Sequence, residues 1–480
     1  MRVGRSVVAA AVVLSSALVG GRAEGAGFAS ARFGGEHGTP IDTNPTALYY
    51  NPGAIGFSEG INLFLDGQIA FRHATWTHQA PPLGLSDQPD KEVGNSGTAS
   101  LFNVFGGPAL GATAKIGNLA LGAGLFVPFG GRVSWDRNKS LTAMQNEIYP
   151  DAKDGVQRWD IINASLTFIY ATVGAAYRLG PLSIGASGNL VISQVDLTQA
   201  KNPYGNGLPD TTSEGRASLD ASGVNGSFGV GAMFEAVPNH FWLGASYQAQ
   251  PALGQQTLTG SFSITAVATQ QTPNPPPQST PATFTQALPD IVRGGAKWRV
   301  NDTLELRVFG DFTRWSVMKS QCVAYETKNP DGSLVQHPCL VHANGSDASG
   351  GNVATNIPRN WNDTYGVRAG GSYWVKPEIE LFGGLGYETG ATPDATIDAA
   401  TMDGNNVGIA LGGRFYLFNS FYFSASYTHL QFLDRDNTGK STLESGPNGM
   451  GVAIPTAQQD AGGKYTQWIG IIDLNAQKQF

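Results

Sequence analysis

The 480-residue sequence has little charge, only two cysteines and, after its N-terminus, no long apolar segment. Asp, Glu, Lys and Arg make up 14% of the chain, against about 25% in soluble domains, so several separate domains would lack a charged surface. No later segment holds the roughly 18 consecutive apolar residues of a membrane-spanning helix. The net charge of −7 argues against nucleic acid as a partner.

The sequence also lacks motifs that hold a cofactor or a metal. It has no HExxH, no Cys-x-x-Cys, no Walker motif and no Gly-x-Gly-x-x-Gly after a strand. One Gly-x-Ser-x-Gly occurs at residues 56–60, but without the strand, turn and helix of a nucleophile elbow. A barrel phospholipase would need a Ser–His pair at a rim, and His429 has no identifiable serine partner. We predict no enzyme activity, no cofactor and no metal.

One acidic loop, residues 434–444, partly resembles a calcium site. Asp434, Asp436, Thr438 and Gly439 resemble the first half of a calcium-binding loop, but Glu444 stands one position early to close it. A solvated acidic loop is the favoured interpretation.

The first residues are typical of a secretory signal. Arg2 and Arg5 precede an apolar run from Val7 to Val19, and small residues follow. About 13 apolar residues are too few to cross the membrane core. We predict a signal peptide over residues 1–25. In the oxidising compartment beyond it, Cys322 and Cys339 are expected to form a disulfide, the alternative being two unpaired thiols.

Apolar and polar residues alternate with a period of two along most of the chain. From Leu304 to Phe312, apolar side chains occupy one face of a strand, whereas Glu305, Arg307 and Asp311 occupy the other. We predict fourteen strands, near residues 62–73, 98–116, 118–135, 159–180, 181–198, 214–237, 240–264, 283–300, 302–319, 361–375, 377–389, 405–417, 420–434 and 464–480.

The connections between these strands alternate in length. Short turns are predicted at residues 117, 180–181, 238–239, 301–302, 376–377 and 419–420, with long polar loops such as 136–158, 265–282, 320–360 and 435–463 between them. A transmembrane barrel has short periplasmic turns and long extracellular loops, whereas a soluble sandwich has no reason to sort its loops. The sequence therefore predicts an all-β, antiparallel outer-membrane barrel of about 14 strands over residues 61–480.

The two ends of the chain fit this prediction. Trp468, Ile472, Leu474 and the terminal Phe480 share one face of the last strand, as in a lipid-facing strand. Residues 26–60 are instead rich in Gly and Pro, with two Asn-Pro turn signals, and precede the first strand. We predict that this segment enters the lumen as a plug, or hatch.

Several motifs occur in order along this pattern. They are Ala26-Gly27-Phe28, Asn51-Pro52-Gly53, Pro128-Phe129-Gly130, Leu288-Pro289-Asp290 and Trp315-Ser316. In this order they resemble the FadL family of outer-membrane transporters for long-chain fatty acids and hydrophobic compounds such as toluene. The likeness covers nearly the whole mature chain, although Gly53 stands where the family's hatch motif usually has Ala.

The resemblance implies a mechanism and site residues. A hydrophobic ligand is captured at the extracellular loops, the hatch blocks the straight path, and a kink in the third strand opens the wall towards the membrane. Phe28, Asn51, Pro52 and Gly53 would belong to the hatch, and Phe126, Pro128, Phe129, Gly130 and Gly131 to the kink. A terminal aromatic such as Phe480 resembles the signal that the barrel assembly machinery reads. The expected partners are outer-membrane lipid and lipopolysaccharide, and the expected state is a monomer in the outer membrane.

The inward-facing charges leave alternatives open. Arg158, Arg307 and Arg368 could hold a substrate carboxylate, whereas mutual pairing of lumen charges is the simpler interpretation. The alternative function is a general diffusion porin for polar solutes. A porin keeps an open lumen and needs no N-terminal plug, so residues 26–60 favour the transporter.

Overall fold

The computed structural model describes residues 32–78, 95–138, 154–201, 214–266, 276–339, 352–418, 420–443 and 460–480. The predicted signal peptide, Phe28 and the rest of residues 26–31 lie outside these ranges. The strands are β1 Ile61–His78, β2 Gly97–Ile116, β3 Leu119–Ser134, β4 Asn163–Leu179, β5 Leu182–Lys201, β6 Gly215–Val237, β7 Phe241–Gln248, β8 Gln255–Thr265, β9 Gln278–Ala287, β10 Ile291–Arg299, β11 Leu304–Thr313, β12 Ser320–Tyr325, β13 Thr327–Lys328, β14 Leu334–Val335, β15 Val353–Pro358, β16 Thr364–Lys376, β17 Ile379–Glu388, β18 Asn406–Phe418, β19 Phe421–Phe432, β20 Arg435–Asp436 and β21 Lys464–Gln479.

The strands close into a barrel. Each pairs antiparallel with its neighbour, and β1 pairs on one side with β2 and on the other with β21, from Asn62 opposite Gln479 to Thr77 opposite Lys464. Four wall strands consist of two segments each, namely β7 with β8, β9 with β10, β11 with β12 and β15 with β16. With β1–β6, β17–β19 and β21 they make the fourteen strands of the predicted antiparallel barrel, which is confirmed.

The two faces of each strand differ in polarity. On β1, Leu63, Leu65 and Ile69 are exposed on the outer surface, whereas Asp66 and Arg72 are buried on the inner one. Where every strand has an apolar outer face and a polar inner face, the solvent outside is hydrocarbon.

An aromatic band marks one edge of the outer face. The ring of Trp468 stacks between His73 and His429, with centroids 6.0 and 5.7 Å away. Amphipathic rings of this kind concentrate where a membrane meets water.

Short turns join the strands at the opposite end. Gly117 and Gly180 adopt φ values of 62° and 60°, a left-handed conformation that glycine tolerates without a steric cost. In the part of the chain that the structure describes, no helix is long and apolar enough to cross a membrane.

The prediction of continuous strands over residues 240–264 and 283–300 was wrong, and two further breaks lie near the predicted ends of the strands 302–319 and 361–375. The ladder breaks at residues 249–254 and 288–290, where Pro251 and Pro289 lack the N–H that a ladder needs. It breaks again at residues 314–319 and 359–363, where the buried side chains of Trp315 and Trp361 enter the interior. The sequence predicted strand residues on both sides of the first two breaks but not the breaks themselves.

Two predicted boundaries also need correction. Residues 320–360 were expected to be a polar loop, yet β12 pairs with both β9 and β15 and extends the wall. Cys322 to Tyr325 supply the apolar residues that this extension buries. The fourth strand was expected to begin at residue 159, but Val156–Trp159 is a 3-10 turn and β4 begins at Asn163.

Candidate functional site

Residues 32–58, the described part of the predicted hatch up to its exposed last residues Glu59 and Gly60, lie mostly buried against inward-facing residues of the barrel, and we call this segment the hatch. They contain α1 (Ala47–Tyr50) and a 3-10 helix over Pro52–Phe57. Asn51 joins the two and is fully buried. Its Nδ2 donates to the carbonyls of Pro40 at 2.7 Å and Ala232 at 2.9 Å, and its Oδ1 accepts from the Gly53 N–H at 3.1 Å. One side chain thus fixes the hatch turn and ties it to β6.

Glycines of the wall make room for the hatch. A Cβ at Gly231 would lie 2.1 Å from Asn51 Oδ1, and one at Gly185 would lie 2.5 Å from the Pro52 carbonyl oxygen. A Cβ at Gly244 would meet the Pro40 carbonyl at 2.4 Å. Side chains at these positions would push the hatch off the wall. Part of the high glycine content of this sequence is therefore a requirement of the filled lumen.

The other side of the hatch is held by hydrogen bonds to acidic side chains of the wall. His37 Nε2 lies 2.8 Å from Glu380, whose other oxygen pairs with Arg414 at 3.2 Å. The Gly34 N–H donates to Asp66 at 2.7 Å. Burial, with the charges of Arg414 and Arg307, lowers the pKa of His37 to about 3. His37 is therefore neutral at physiological pH, and its contact with Glu380 is a hydrogen bond from a neutral ring.

Aromatic rings from the hatch and the wall meet beside β3. The hatch ring of Phe33 stacks on Phe126 with centroids 5.0 Å apart, and Tyr49 meets Tyr170 edge-on at 6.0 Å. Phe129 meets Trp315 at 6.1 Å. We call this set the aromatic cluster; its members are Phe33, Tyr49, Phe126, Phe129, Phe168, Tyr170, Trp315 and Trp361, all buried.

The third strand is irregular where it carries this cluster. Phe126 pairs with Tyr170, but Phe129 pairs with Phe168, so β3 contains one more residue than β4 between the two pairs. Such a bulge bends its strand and leaves a residue outside the ladder. Val127 and buried Pro128 occupy the bulge, and Pro128 has no N–H to donate. Gly130 and Gly131 follow it, both buried.

Beside this bulge the wall has a window. β2 and β3 pair only from Leu110 opposite Leu125 down to the turn at 117–118. Above that level β2 pairs with β1 and β3 with β4, and no ladder joins β2 to β3 within the described strands. Higher still, Asn103 exchanges two hydrogen bonds with the Ser134 backbone, at 2.8 and 2.9 Å. The window therefore lies between residues 104–109 of β2 and 126–133 of β3.

A groove of about 610 Å³ lies at this window. Gly107, Pro108 and Leu110 line it from β2, and Leu125 and Val127 line it from β3. Outward-facing residues of β4, β5 and β6 complete it, among them Ile169, Asp196 and Asp220. The irregular part of β3 carries Phe126 and Phe129 of the aromatic cluster, and its neighbouring residues Leu125 and Val127 line this groove.

The extracellular end of the lumen is covered by residues 389–405, which connect β17 to β18. Ile397 and Ala399 are fully buried and pack with Trp76 and Trp135. Asp398 of this connection forms a buried ion pair with Arg359 at 2.7 Å. A molecule that enters from outside must pass beside this cover or displace it.

The three arginines proposed from the sequence lie in different places. Arg158 is fully buried and bonds both oxygens of Glu214, at 2.8 and 3.0 Å. Arg307 donates to Ser372 at 2.9 Å and lies near Glu305 at 3.6 Å. Arg368 lines a small cavity between the hatch and the wall. Of the three, Arg368 lines this cavity, whereas Arg158 and Arg307 bind neighbouring polar side chains.

Two extracellular features were predicted from the sequence, a disulfide and an acidic loop. Cys322 and Cys339 form a disulfide with Cα atoms 6.2 Å apart. In the acidic loop, the Asp436 carboxylate accepts from the Thr438 N–H at 3.1 Å, while Lys440 binds Asp394 at 2.9 Å. Among the described residues, no group of three acidic, His or Cys side chains could hold a metal ion.

Several site residues were not identified from the sequence. Trp361 and Tyr49 of the aromatic cluster and Arg293 beside it carried no motif of their own. Leu288 and Trp315 belonged to motifs that were noticed, but their position at strand breaks was not expected. No local pattern in the sequence marks these positions, because the contacts that bring them together join segments far apart in the chain.

The sequence of this chain is similar to those of known outer membrane proteins. A sequence profile described as outer membrane protein transport protein (OMPP1/FadL/TodX) matches residues 6–452. A protein of Neisseria meningitidis serogroup B that is named as an outer membrane protein is 19% identical over 401 residues, which cover 81% of each chain.

Solved structures share the fold. A FadL homologue of Pseudomonas aeruginosa superposes with a TM-score of 0.71 at 16% identity, over 96% of this chain and 100% of that one. The toluene transporter TodX of Pseudomonas putida superposes with a TM-score of 0.61 at 17% identity, over 96% of this chain and 99% of that one. The toluene transporter TbuX of Ralstonia pickettii superposes with a TM-score of 0.60 at 18% identity, over 95% of this chain and 99% of that one.

Proposed function

The chain belongs to the OMPP1/FadL/TodX family of outer membrane transport proteins, and from this premise we propose that it releases hydrophobic molecules sideways through the window between β2 and β3. Members of this family carry hydrophobic compounds across the outer membrane, and the chain is a transporter of that kind rather than a porin. The observation that carries the lateral route is the absence of β2–β3 pairing beside the β3 bulge.

The proposed route has three stages. A ligand is captured at the extracellular loops, passes the cover formed by residues 389–405 and reaches the aromatic cluster. The hatch, held by Asn51 and His37, blocks the way to the periplasm. A fatty chain gains about 0.8 kcal/mol for each methylene that leaves water. Exit into the membrane through the window is therefore favoured over exit into the periplasm.

The hatch and the window are coupled by direct contact. Phe33 of the hatch stacks on Phe126, the last residue of β3 before the bulge. A ligand that enters the aromatic cluster must separate these two rings or shift them together. We propose that this displacement widens the window, so that binding of a ligand in the aromatic cluster promotes the release of that ligand into the membrane.

Other parts of the proposal concern the life of the protein in the cell. Residues 1–25 act as the signal peptide, Phe480 is read by the barrel assembly machinery, and the mature chain is a monomer among outer-membrane lipid and lipopolysaccharide. The exposed ring of Phe480 supports the second of these.

Uptake by whole cells tests the function. A Gram-negative strain without its own transporters of this family should take up a labelled long-chain fatty acid or toluene only when it expresses this protein. A polar sugar of similar size should enter at the same rate with or without it. Sugar uptake that rises with expression, while the hydrophobic tracers gain nothing, would favour the porin instead.

A further inference from the structure

The groove outside the window changes in polarity from one end to the other. At its lower end it is lined by the apolar residues Pro108, Leu125 and Val127. At its upper end it is lined by polar side chains from β3, β4, β5 and β6. Its volume of about 610 Å³ is within the range of about 300–1,000 Å³ that is usual for sites that bind small molecules. An amphiphile with one apolar end and one polar end has the same order of groups.

The polar end of the groove lies at the level of the lipid head groups. On the outer face of β6, the exposed side chains change from Phe228 and Val224 to Ser222 and Asp220. The outer face of a barrel is apolar where it meets hydrocarbon and polar beyond it. This end of β6 is opposite the end that carries the short turns, so it is the extracellular end. The head groups at this level are therefore those of the outer leaflet.

Three charged side chains lie in one row across this part of the outer face. Arg132 of β3 lies opposite Ser165 of β4. Ser165 lies opposite Asp196 of β5, which in turn lies opposite Asp220 of β6. All four are exposed, and within the described ranges no ion pair neutralises any of the three charges. Like charges directly opposite each other destabilise a sheet, so a cationic group that contacts both carboxylates would stabilise this row.

The spacing of the row separates a site for an anion from a site for a cation. Adjacent strands lie about 4.8 Å apart, so the backbones at Arg132 and Asp196 are about 10 Å apart. A guanidinium binds a phosphate through two parallel hydrogen bonds. Ser165, Gln194 and Ser222 also line the groove, and their hydroxyl and amide groups can donate to and accept from the hydroxyls of a sugar. The upper end thus offers sites for a phosphate, an amine and a sugar.

We infer that this groove binds lipopolysaccharide, with one acyl chain in its apolar end, a phosphate on Arg132 and the amine of a phosphoethanolamine substituent on Asp196 and Asp220. The amine is needed because the two carboxylates would repel a lipid that carries phosphates alone. The inference deepens the proposed function and rests on it, since the bound chain lies across the proposed exit. A substrate that leaves through the window displaces this chain into the surrounding membrane.

The test measures lipid binding to the full-length mature protein in detergent by native mass spectrometry. The probes are lipid A with a phosphoethanolamine substituent, lipid A without it, and phosphatidylethanolamine. Asp196→Asn/Asp220→Asn removes the two negative charges and keeps the shape of the side chains, and Arg132→Gln removes the positive charge. Asp302→Asn is the control, because Asp302 is exposed in the turn between β10 and β11 at the other end of the barrel. Heat-modifiable migration confirms that each variant is folded.

We expect the wild type to bind substituted lipid A about tenfold more tightly than unsubstituted lipid A, the usual effect of a hydrogen bond to a charged group. The Asp196→Asn/Asp220→Asn variant should lose this preference. Arg132→Gln should bind both forms of lipid A about tenfold more weakly, because each carries the phosphate. Asp302→Asn should bind both as the wild type does.

Three results would overturn the inference. They are the absence of a preference in the wild type, a preference that persists in the Asp196→Asn/Asp220→Asn variant, and binding of phosphatidylethanolamine as tight as that of substituted lipid A. The last result would show that a phospholipid, rather than lipopolysaccharide, occupies the groove. Uptake of hydrophobic tracers by cells separates this inference from the proposed function. Uptake without the preference would overturn the lipid site alone, whereas the preference without uptake would support the lipid site and overturn the transport function.

Discussion

At the scale of single residues, the hatch is held by groups whose roles follow from burial. His37 is the clearest case, since its pKa of about 3 lies well below the usual 6.5. A docked His37 stays neutral below pH 6.5, whereas an undocked one takes up a proton. The contribution of His37 to the stability of the docked hatch is therefore greatest above pH 6.5, and it decreases as the pH falls from 6.5 towards 3.

We predict that His37→Gln removes this part of the pH dependence, because a glutamine can still donate to Glu380 but does not titrate in this range. The protection factors of residues 33–58, which correct for the slower intrinsic exchange at low pH, should fall in the wild type between pH 7.5 and pH 5 by more than in the variant. Other titrating groups near the hatch affect both proteins alike, so the difference isolates His37. Parallel changes in both proteins would contradict the prediction.

The wall glycines that make room for the hatch lead to a second prediction about a single residue. In Gly231→Val, the new Cβ would overlap Asn51 Oδ1 and displace the side-chain amide. The bonds that Asn51 Nδ2 donates to the carbonyls of Ala232 and Pro40 would then break, at a cost of about 1–3 kcal/mol to hatch docking. The barrel ladder should stay intact. Hydrogen exchange should therefore increase in the hatch and remain unchanged in the strands.

Gly226→Val provides the matched control for this change. Gly226 lies on the same strand, and a Cβ there meets nothing within 4 Å. If the hatch amides are equally protected from hydrogen exchange in the two variants, the absence of a side chain at Gly231 is not required for the hatch to dock.

At the scale of elements, the structure separates a continuous ladder from the segments that interrupt it. The regular strands and short turns could be predicted because alternation and turn residues are local signals. The bulge of β3 was suggested by Pro128 and Gly130. The pairing of β12 with β9 and β15 could not be predicted, because neither alternation nor composition states which distant segment a strand will meet.

The disulfide belongs to this scale. In the double variant Cys322→Ser/Cys339→Ser, we predict normal barrel assembly, because β12 remains paired with both of its neighbours. Without the bridge, the loop between residues 322 and 339 should gain conformational freedom, and its ordered form should become less stable by about 3 kcal/mol because of the added chain entropy. Proteolysis between residues 326 and 339 should therefore become faster, while heat-modifiable migration stays the same. Loss of the folded, fast-migrating band would show that assembly depends on the bridge.

At the scale of the whole molecule, the prediction from the sequence succeeded because membrane and lumen impose opposite demands on alternate residues. Fourteen strands, their direction and the closed barrel follow from that rule together with the loop lengths. The site depends instead on distances between segments far apart in the chain, such as Phe33 and Phe126 or Tyr49 and Arg293. Such proximity becomes visible only once the barrel is closed.

The measurement that tests the lateral route most directly is uptake of a hydrophobic tracer by the double variant Pro128→Val/Gly130→Val. β-Branched residues favour a continuous ladder, so β3 should pair further along β2 and narrow the window. We predict normal folding, unchanged binding of the tracer to the purified protein, and uptake by cells reduced at least about tenfold, as expected if pairing across the window contributes about 1.4 kcal/mol or more. Uptake at the wild-type rate in a variant shown to have the added β2–β3 pairing would contradict the lateral route, and a straight path past the hatch would then have to carry the substrate.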